Sequence, residues 1–195
     1  MPLSTPAGRE FLTRRTISCE GFERPDGLMD IDGHLKDVRG FDMDNDWRKL
    51  PAGQAVHEMW VRLTLDGELV IRAVECVMDA APYGTCREVV PDLQRLTGVR
   101  ISGGFKKEMS ARVGNTEGCT HIVALLDSMS TVAVQALAAT RRNEDRETIL
   151  GTFSTRPGER PGLIDSCHSY AEDSPVVEKY WPMYYRPRKP TTDPI

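Results

Sequence analysis

Apolar and polar residues alternate over 14–24 and again over 28–39, the two-residue period of strands buried on one face only. Pro25-Asp26-Gly27 separates the two segments. Proline suits the first turn position and glycine the left-handed one, so the pair is predicted to form a hairpin with a three-residue connection. That register sets Ile17 against Leu35, Cys19 against Gly33 and Gly21 against Ile31 on one face. The other face sets Ser18 against His34, Glu20 against Asp32 and Phe22 against Asp30, a polar strip unsuited to a dry core.

A second hairpin is predicted from 57–65 and 68–79, joined by Asp66-Gly67, a favoured dipeptide for a two-residue type I′ turn. Its register pairs Leu63 with Val70, Val61 with Arg72, Met59 with Val74 and His57 with Cys76. The reverse face pairs Trp60 with Ala73, Arg62 with Ile71 and Glu58 with Glu75. Between the hairpins, 41–53 reads as a loop rich in aspartate. The spacing of Asp42, Asp44 and Asp46 suggests a calcium loop, but Trp47 and Gly53 stand where an EF-hand needs glycine and glutamate.

After Pro82 the period lengthens to that of helices. Short helices are predicted over 86–96, stopping at Gly98, and over 103–113, stopping at Gly114. The clearest helix spans 117–142, where Ile122, Leu125, Leu126, Met129, Val132, Ala133, Ala136 and Leu137 recur every three or four residues. Asn115 or Thr116 would cap it. Residues 143–160 read as a charged loop, followed by a last segment ending at Tyr185. Strands grouped before helices define an α+β fold: two long antiparallel β-hairpins forming a curved sheet, then three helices packed against it. A single domain over 1–195 is expected, with 1–13 and 186–195 as loose tails.

Charge narrows the function classes. The 195 residues carry 25 Lys+Arg against 29 Asp+Glu, a formal charge of −4, which argues against a nucleic-acid partner. The cluster Arg186, Arg188 and Lys189 sits in a proline-rich tail and reads as solvated. Asp127, Ser128, Ser130 and Gln135 interrupt the most apolar stretch, 122–139, so no membrane span is expected. The first ten residues lack the pattern of a secretory signal, which points to the cytoplasm. Five cysteines without a C-x-x-C pair fit reduced thiols.

Candidate chemistry concentrates at a few places. Cys119 and His121 fall at the predicted start of the long helix, where unpaired N–H groups favour a thiolate and a neutral imidazole. Cys119 reads either as a nucleophile or as a small buried hydrophobe, and His121 either as a base or as a packing histidine. Glu58 and Glu75, placed opposite one another, would form an acid/base pair, with Arg62 able to turn them into an ordinary ion network. His57, Asp32 and His34 supply a second polar group. Cys86, Cys119, His121 and Cys167 have zinc-ligand chemistry without a closed-site spacing. Gly103-Gly104-Phe105-Lys106-Lys107 lacks a phosphate-loop fingerprint, and neither a G-x-S-x-G elbow nor an H-E-x-x-H helix occurs.

Several stretches together resemble the bacterial family catalogued as domain of unknown function 2889. They are Asp26-Gly27-Leu28-Met29-Asp30-Ile31-Asp32-Gly33-His34-Leu35, His57-Glu58-Met59-Trp60-Val61-Arg62-Leu63, Ala81-Pro82-Tyr83-Gly84-Thr85-Cys86, Gly118-Cys119-Thr120-His121 and Trp181-Pro182. Met29 departs from the tryptophan expected there. The resemblance implies a cofactor-independent lyase that releases formaldehyde from lignin-derived diaryl compounds such as phenylcoumarans. No metal or redox cofactor is required for that reaction. It needs a base, an acid or cation for the departing phenolate, and aromatic walls. His121, His57, Glu58 and Glu75 are the candidate bases, and Arg62, Lys106 and Tyr83 the candidate acids or cations. Trp60, Phe105, Asp32 and His34 are expected to contact the substrate, a hydrophobic aromatic small molecule, and a homodimer is expected. The alternatives are a Cys/His zinc protein, structural or hydrolytic, and a non-catalytic small-molecule-binding module.

Overall fold

A computed structural model of the chain describes residue 4 and residues 7–45, 48–144 and 160–188. The outer parts of both predicted tails, residues 46 and 47 of the aspartate-rich loop, and most of the loop expected over 143–160 lie outside the described residues. The chain divides into two compact units, Met1–Leu137 and Ala138–Ile195.

The first unit is an antiparallel sheet with helices packed on it, so the α+β class holds. Strands β1 (Thr13–Glu23), β2 (Met29–Arg39), β5 (Ala55–Leu65) and β6 (Ile71–Ala80) lie in the order β1-β2-β5-β6. The first hairpin has the register read from the sequence, Ile17 opposite Leu35 and Cys19 opposite Gly33. Its three-residue turn closes with Arg24 N–H donating to Leu28 and Gly27 N–H to Arg24. The segment expected to be a loop contains a two-stranded ribbon, β3 (Met43–Asn45) with β4 (Arg48–Leu50).

The second hairpin differs from its predicted register. Asp66-Gly67 opens the connection rather than centring it, because the Asp66 carboxylate accepts the N–H groups of Glu68 and Val70, each at 2.9 Å. Leu69 then takes a left-handed conformation at φ 62°, giving a three-residue loop. A bulge between Thr64 and Leu65 shifts the register by one residue more, and the pairs become Leu63 with Val74, Val61 with Cys76, Met59 with Met78 and Arg62 with Glu75. Packing favours this outcome: every inward pair is apolar, whereas the two-residue turn would have set Arg72 against Val61.

Inward-facing Met29, Ile31, Leu35, Met59, Val61, Leu63, Leu65, Ile71 and Val74 form the sheet side of the core. The predicted helix at 86–96 is instead two 3-10 segments, Gly84–Val89 and Pro91–Leu96. Pro91 begins the second, since its missing N–H cannot continue the first. Helix α1 (Phe105–Val113) is followed by a 3-10 turn at Asn115–Glu117, and only then by helix α2 (Thr120–Thr140). The predicted start at 117 with Asn115 or Thr116 as cap is therefore corrected. Val123 N–H bonds the Cys119 carbonyl at 2.9 Å, making Cys119 the residue that leads the helix.

Helix α2 is long and apolar enough by length and composition to cross a membrane, with a mean hydropathy of 1.7 over its most apolar window. Here its Ile122, Leu125, Leu126, Met129, Ala133 and Leu137 are buried, within the same apolar core as the sheet residues. The approach is close over β2. A Cβ built on Gly33 would lie 2.5 Å from Met129 Sδ and 3.0 Å from Leu125 Cδ1.

The second unit has its own small core of Ile164, Val177 and Trp181, ringed by Tyr170, Tyr180, Tyr184 and Tyr185. Its helix α3 (Pro175–Tyr180) is capped by Ser174, whose hydroxyl accepts from Val177 N–H at 3.2 Å.

Candidate active site

The inward row of β2 runs Met29, Ile31, Gly33, Leu35 and then Asp37, so an acid stands at the end of an apolar stripe. The β2–β5 register shifts between Asp37 and Val38, which leaves Val56 unpaired beside the Asp37–His57 pair. Such bulges re-aim side chains at the rim of a sheet. Asp37 is 8% exposed. Its cross-strand neighbour on β1, Arg15, grips both carboxylate oxygens, Nε to Oδ1 at 2.8 Å and a terminal guanidinium nitrogen to Oδ2 at 2.7 Å.

His57 donates from Nδ1 to Asp37 Oδ2 at 3.1 Å, which orients the ring and leaves Nε2 as the basic nitrogen. His121, from the first turn of α2, stacks on His57 with ring centroids 3.8 Å apart. Its Nε2 is 3.6 Å from Asp37 Oδ2 and its Nδ1 is 3.6 Å from Cys119 Sγ. Gly118 makes this turn possible, because a Cβ there would lie 1.8 Å from the Val113 carbonyl oxygen.

Electrostatics follow from these contacts. Burial pushes the Asp37 carboxyl up, but the Arg15 fork and the two imidazoles outweigh it and hold the acid below its ordinary range. Burial lowers both histidines. Asp37 opposes that effect at His57, while His57 and Arg15 reinforce it at His121. Two neutral imidazoles thus stand beside an ionised carboxylate at neutral pH. Burial also raises the Cys76 thiol to about 11.

His57 and His121 face a cleft of about 370 Å³, whose apolar walls include Met59, Met78, Pro82, Tyr83 and Val89. Cys86 and Cys119 line it as well. Asp37, His57 and His121 each point one ligand atom to a common place, all within 4.8 Å of one another, so this trio could hold a metal ion. Of the dispersed zinc set, Cys86, Cys119 and His121 share the cleft wall, while Cys167 belongs to the second unit. All five cysteines are free thiols.

The remaining sequence candidates divide by strand parity. Asp32, His34, Glu58, Trp60, Arg62 and Glu75 project from the opposite face of the sheet. His34 stacks on Trp60 at 3.6 Å, and Glu58 accepts from Lys36 Nζ at 3.0 Å and from His34 at 3.1 Å. The Lys36 and His34 bonds hold the Glu58 carboxyl below its ordinary value. Arg62 forks onto Asp32 with two bonds of 2.7 Å. The expected Glu58–Glu75 pair does not exist: Glu58 faces Ala80 and Glu75 faces Arg62, the result of the longer turn and of bulges at Thr64/Leu65 and Glu58/Met59. Phe105 is buried in the core and Lys106 pairs with Asp127 at 2.8 Å, so neither reaches the cleft. Tyr83 does reach it.

Arg15 and Asp37 were not among the sequence candidates. The first hairpin nevertheless pairs them directly, so an inward-facing opposite-charge pair at the end of an apolar row was a readable signal.

A family described as "Protein of unknown function (DUF2889)" matches residues 13–135. The chain belongs to this family. The matched span runs from β1 into α2 and holds Arg15, Asp37, His57, Tyr83, Cys119 and His121, but it ends before Trp181-Pro182. No curated protein and no solved structure matches the chain.

Proposed function

We propose that this protein is a carbon–carbon lyase that cleaves a hydroxymethyl group from a lignin-derived diaryl compound of the phenylcoumaran type, releasing formaldehyde without a cofactor. The observation that carries the reading is His57, oriented by Asp37 and facing an apolar cleft of about 370 Å³, where burial presses its imidazole toward the neutral form. A cleft of that size and lining suits aromatic rings.

In this reading His57 Nε2 takes the proton of the CH2OH group. The oxygen electrons form the C=O of formaldehyde, and the C–C bond breaks. Its electron pair forms a carbon–carbon double bond while the aryl ether C–O bond breaks, expelling a phenolate. Tyr83 lines the cleft and acts as the acid toward that phenolate, and the proton on His57 restores the balance. Arg15 and Asp37 position the base, and His121 packs against its ring. The reaction needs no redox partner, and the enzyme works in the cytoplasm.

The test is formaldehyde release from a phenylcoumaran. Wild-type protein should release it, and His57→Gln should slow it by about 100-fold to 10,000-fold, the range for losing a general base. No release above a heat-killed control, or full activity in His57→Gln, would sink the reading.

The convergence of Asp37, His57 and His121 favours a second reading, a zinc protein. Stoichiometric zinc in gently purified protein, lost on His57→Gln, would replace the first reading with this one.

A further inference from the structure

His57 and His121 also line a second cleft, of about 360 Å³, completed by Thr13, Arg15, Asp37, Arg39 and Val56. The two clefts therefore meet at the imidazole pair. Their linings differ, since the second holds the charged side chains of Arg15, Asp37 and Arg39 beside Thr13 and Val56.

Within it Arg15 and Asp37 neutralise one another through their fork, and both histidines are pressed toward their neutral forms. What remains is Arg39. It ends β2, opposite Thr13, and is half-buried, with its guanidinium 5.7 Å from the Phe41 ring centroid. Among the described residues no carboxylate pairs with it, whereas Arg15, Arg24, Arg62, Arg72, Arg95 and Arg112 each hold one. Its charge reaches the site, being one of those that lower His57. In a chain of net charge −4, this is a local positive pole. A guanidinium is always charged, planar and matched to a carboxylate by two parallel N–H bonds. Partial burial strengthens that attraction by keeping water from screening it.

Resting on the lyase reading above, we propose that Arg39 is an anchor for a carboxylate on the substrate. The aromatic body occupies the apolar cleft, and the anionic end passes the imidazoles into the second. The substrate class is then an aromatic carboxylic acid rather than a neutral diaryl. Anchoring one end beyond the base fixes the hydroxymethyl group against His57, the usual gain from a remote binding group.

The test measures binding of benzoate and of its neutral analogue benzamide to the full chain by calorimetry, with and without EDTA, and follows the histidine ring signals by NMR. Benzoate should bind at least tenfold tighter than benzamide and shift both His57 and His121. Arg39→Gln should erase that preference, and Arg39→Lys, which keeps the charge but loses the fork, should retain part of it. Thermal melts check that the variants fold, and the wild-type comparison stands without them. Equal binding of the two probes, no benzoate binding, a preference surviving in Arg39→Gln, or benzoate binding that EDTA abolishes would each overturn the anchor. Formaldehyde release is read separately: its absence alongside an intact benzoate preference would defeat the lyase and leave the anchor standing.

Discussion

Asp37 accepts from Arg15 through both carboxylate oxygens and from His57 through one, so its charge decides which imidazole nitrogen carries the proton. An asparagine of the same shape can present an N–H where His57 needs an acceptor. It would also leave the Arg15 guanidinium without its anion. We expect Asp37→Asn to lower formaldehyde release by about 100-fold to 10,000-fold, the scale seen when a catalytic histidine loses its orienting carboxylate. Denaturant titration should show it about 1–3 kcal/mol less stable, the penalty for a buried polar group losing its partner. Activity within twofold of wild type would show that His57 does not depend on Asp37. At this scale the sequence was informative about residue type and poor about company. His57, His121 and Tyr83 were read as candidates from their chemistry, and the structure brings them to one cleft. Asp32, His34, Glu58, Trp60, Arg62 and Glu75 were equally good candidates by type, and they lie on the other face. His57 and Glu58 are neighbours in the chain and are divided by the strand period alone.

Helix α2 must both lie on the sheet and deliver His121; Gly33, like Gly21 beneath Ala136, governs the approach, and Gly118 governs the turn that leads into the helix. At Gly33 a methyl group would meet Met129 and Leu125 on the facing helix. Methionine can shift, so Gly33→Ala should cost about 1–3 kcal/mol, in the range for overpacking, with the site still formed. At Gly118 the obstacle is the Val113 carbonyl, 1.8 Å from the position of a Cβ, and backbone cannot yield as a thioether does. Gly118→Ala should therefore displace Cys119 and His121 and reduce activity by more than Gly33→Ala at equal loss of stability. Comparing urea midpoints with turnover for both variants separates the two effects. The same contrast between local and distant forces explains the hairpins. The first register was legible because Pro25-Asp26-Gly27 and the alternating pattern agree. The second was misread because Asp66 bonds two N–H groups beyond the glycine, a side-chain contact that dipeptide preference does not contain.

Across the whole molecule, acid should weaken the fold in two steps. His57 and His121 have folded values below the ordinary 6.5, so folding favours their neutral forms. Stability from that source is present above pH 6.5 and is lost as pH falls through the depressed values. Asp37 lies below the ordinary 3.8 and Glu58 below 4.5, so their contribution is present above those values and disappears at still lower pH. Urea midpoints taken between about pH 8 and pH 3 should fall first as the pH drops below 6.5 and again near the carboxylate range. A midpoint that rises between pH 6.5 and 5 would show that the fold prefers charged imidazoles. The sequence by itself determined the class of fold, the first hairpin, the existence of the long apolar helix and a short roll of reactive residues. These depend on periods of two and 3.6 and on turn chemistry within a few residues. The second register turned on the Asp66 side-chain bonds and the bulge beside them, and tertiary structure alone decided the start of α2 and the meeting of Arg15, Asp37, His57 and His121. Those outcomes depend on which apolar faces interlock and on how closely α2 can lie on the sheet, forces acting between residues up to about a hundred positions apart in the chain.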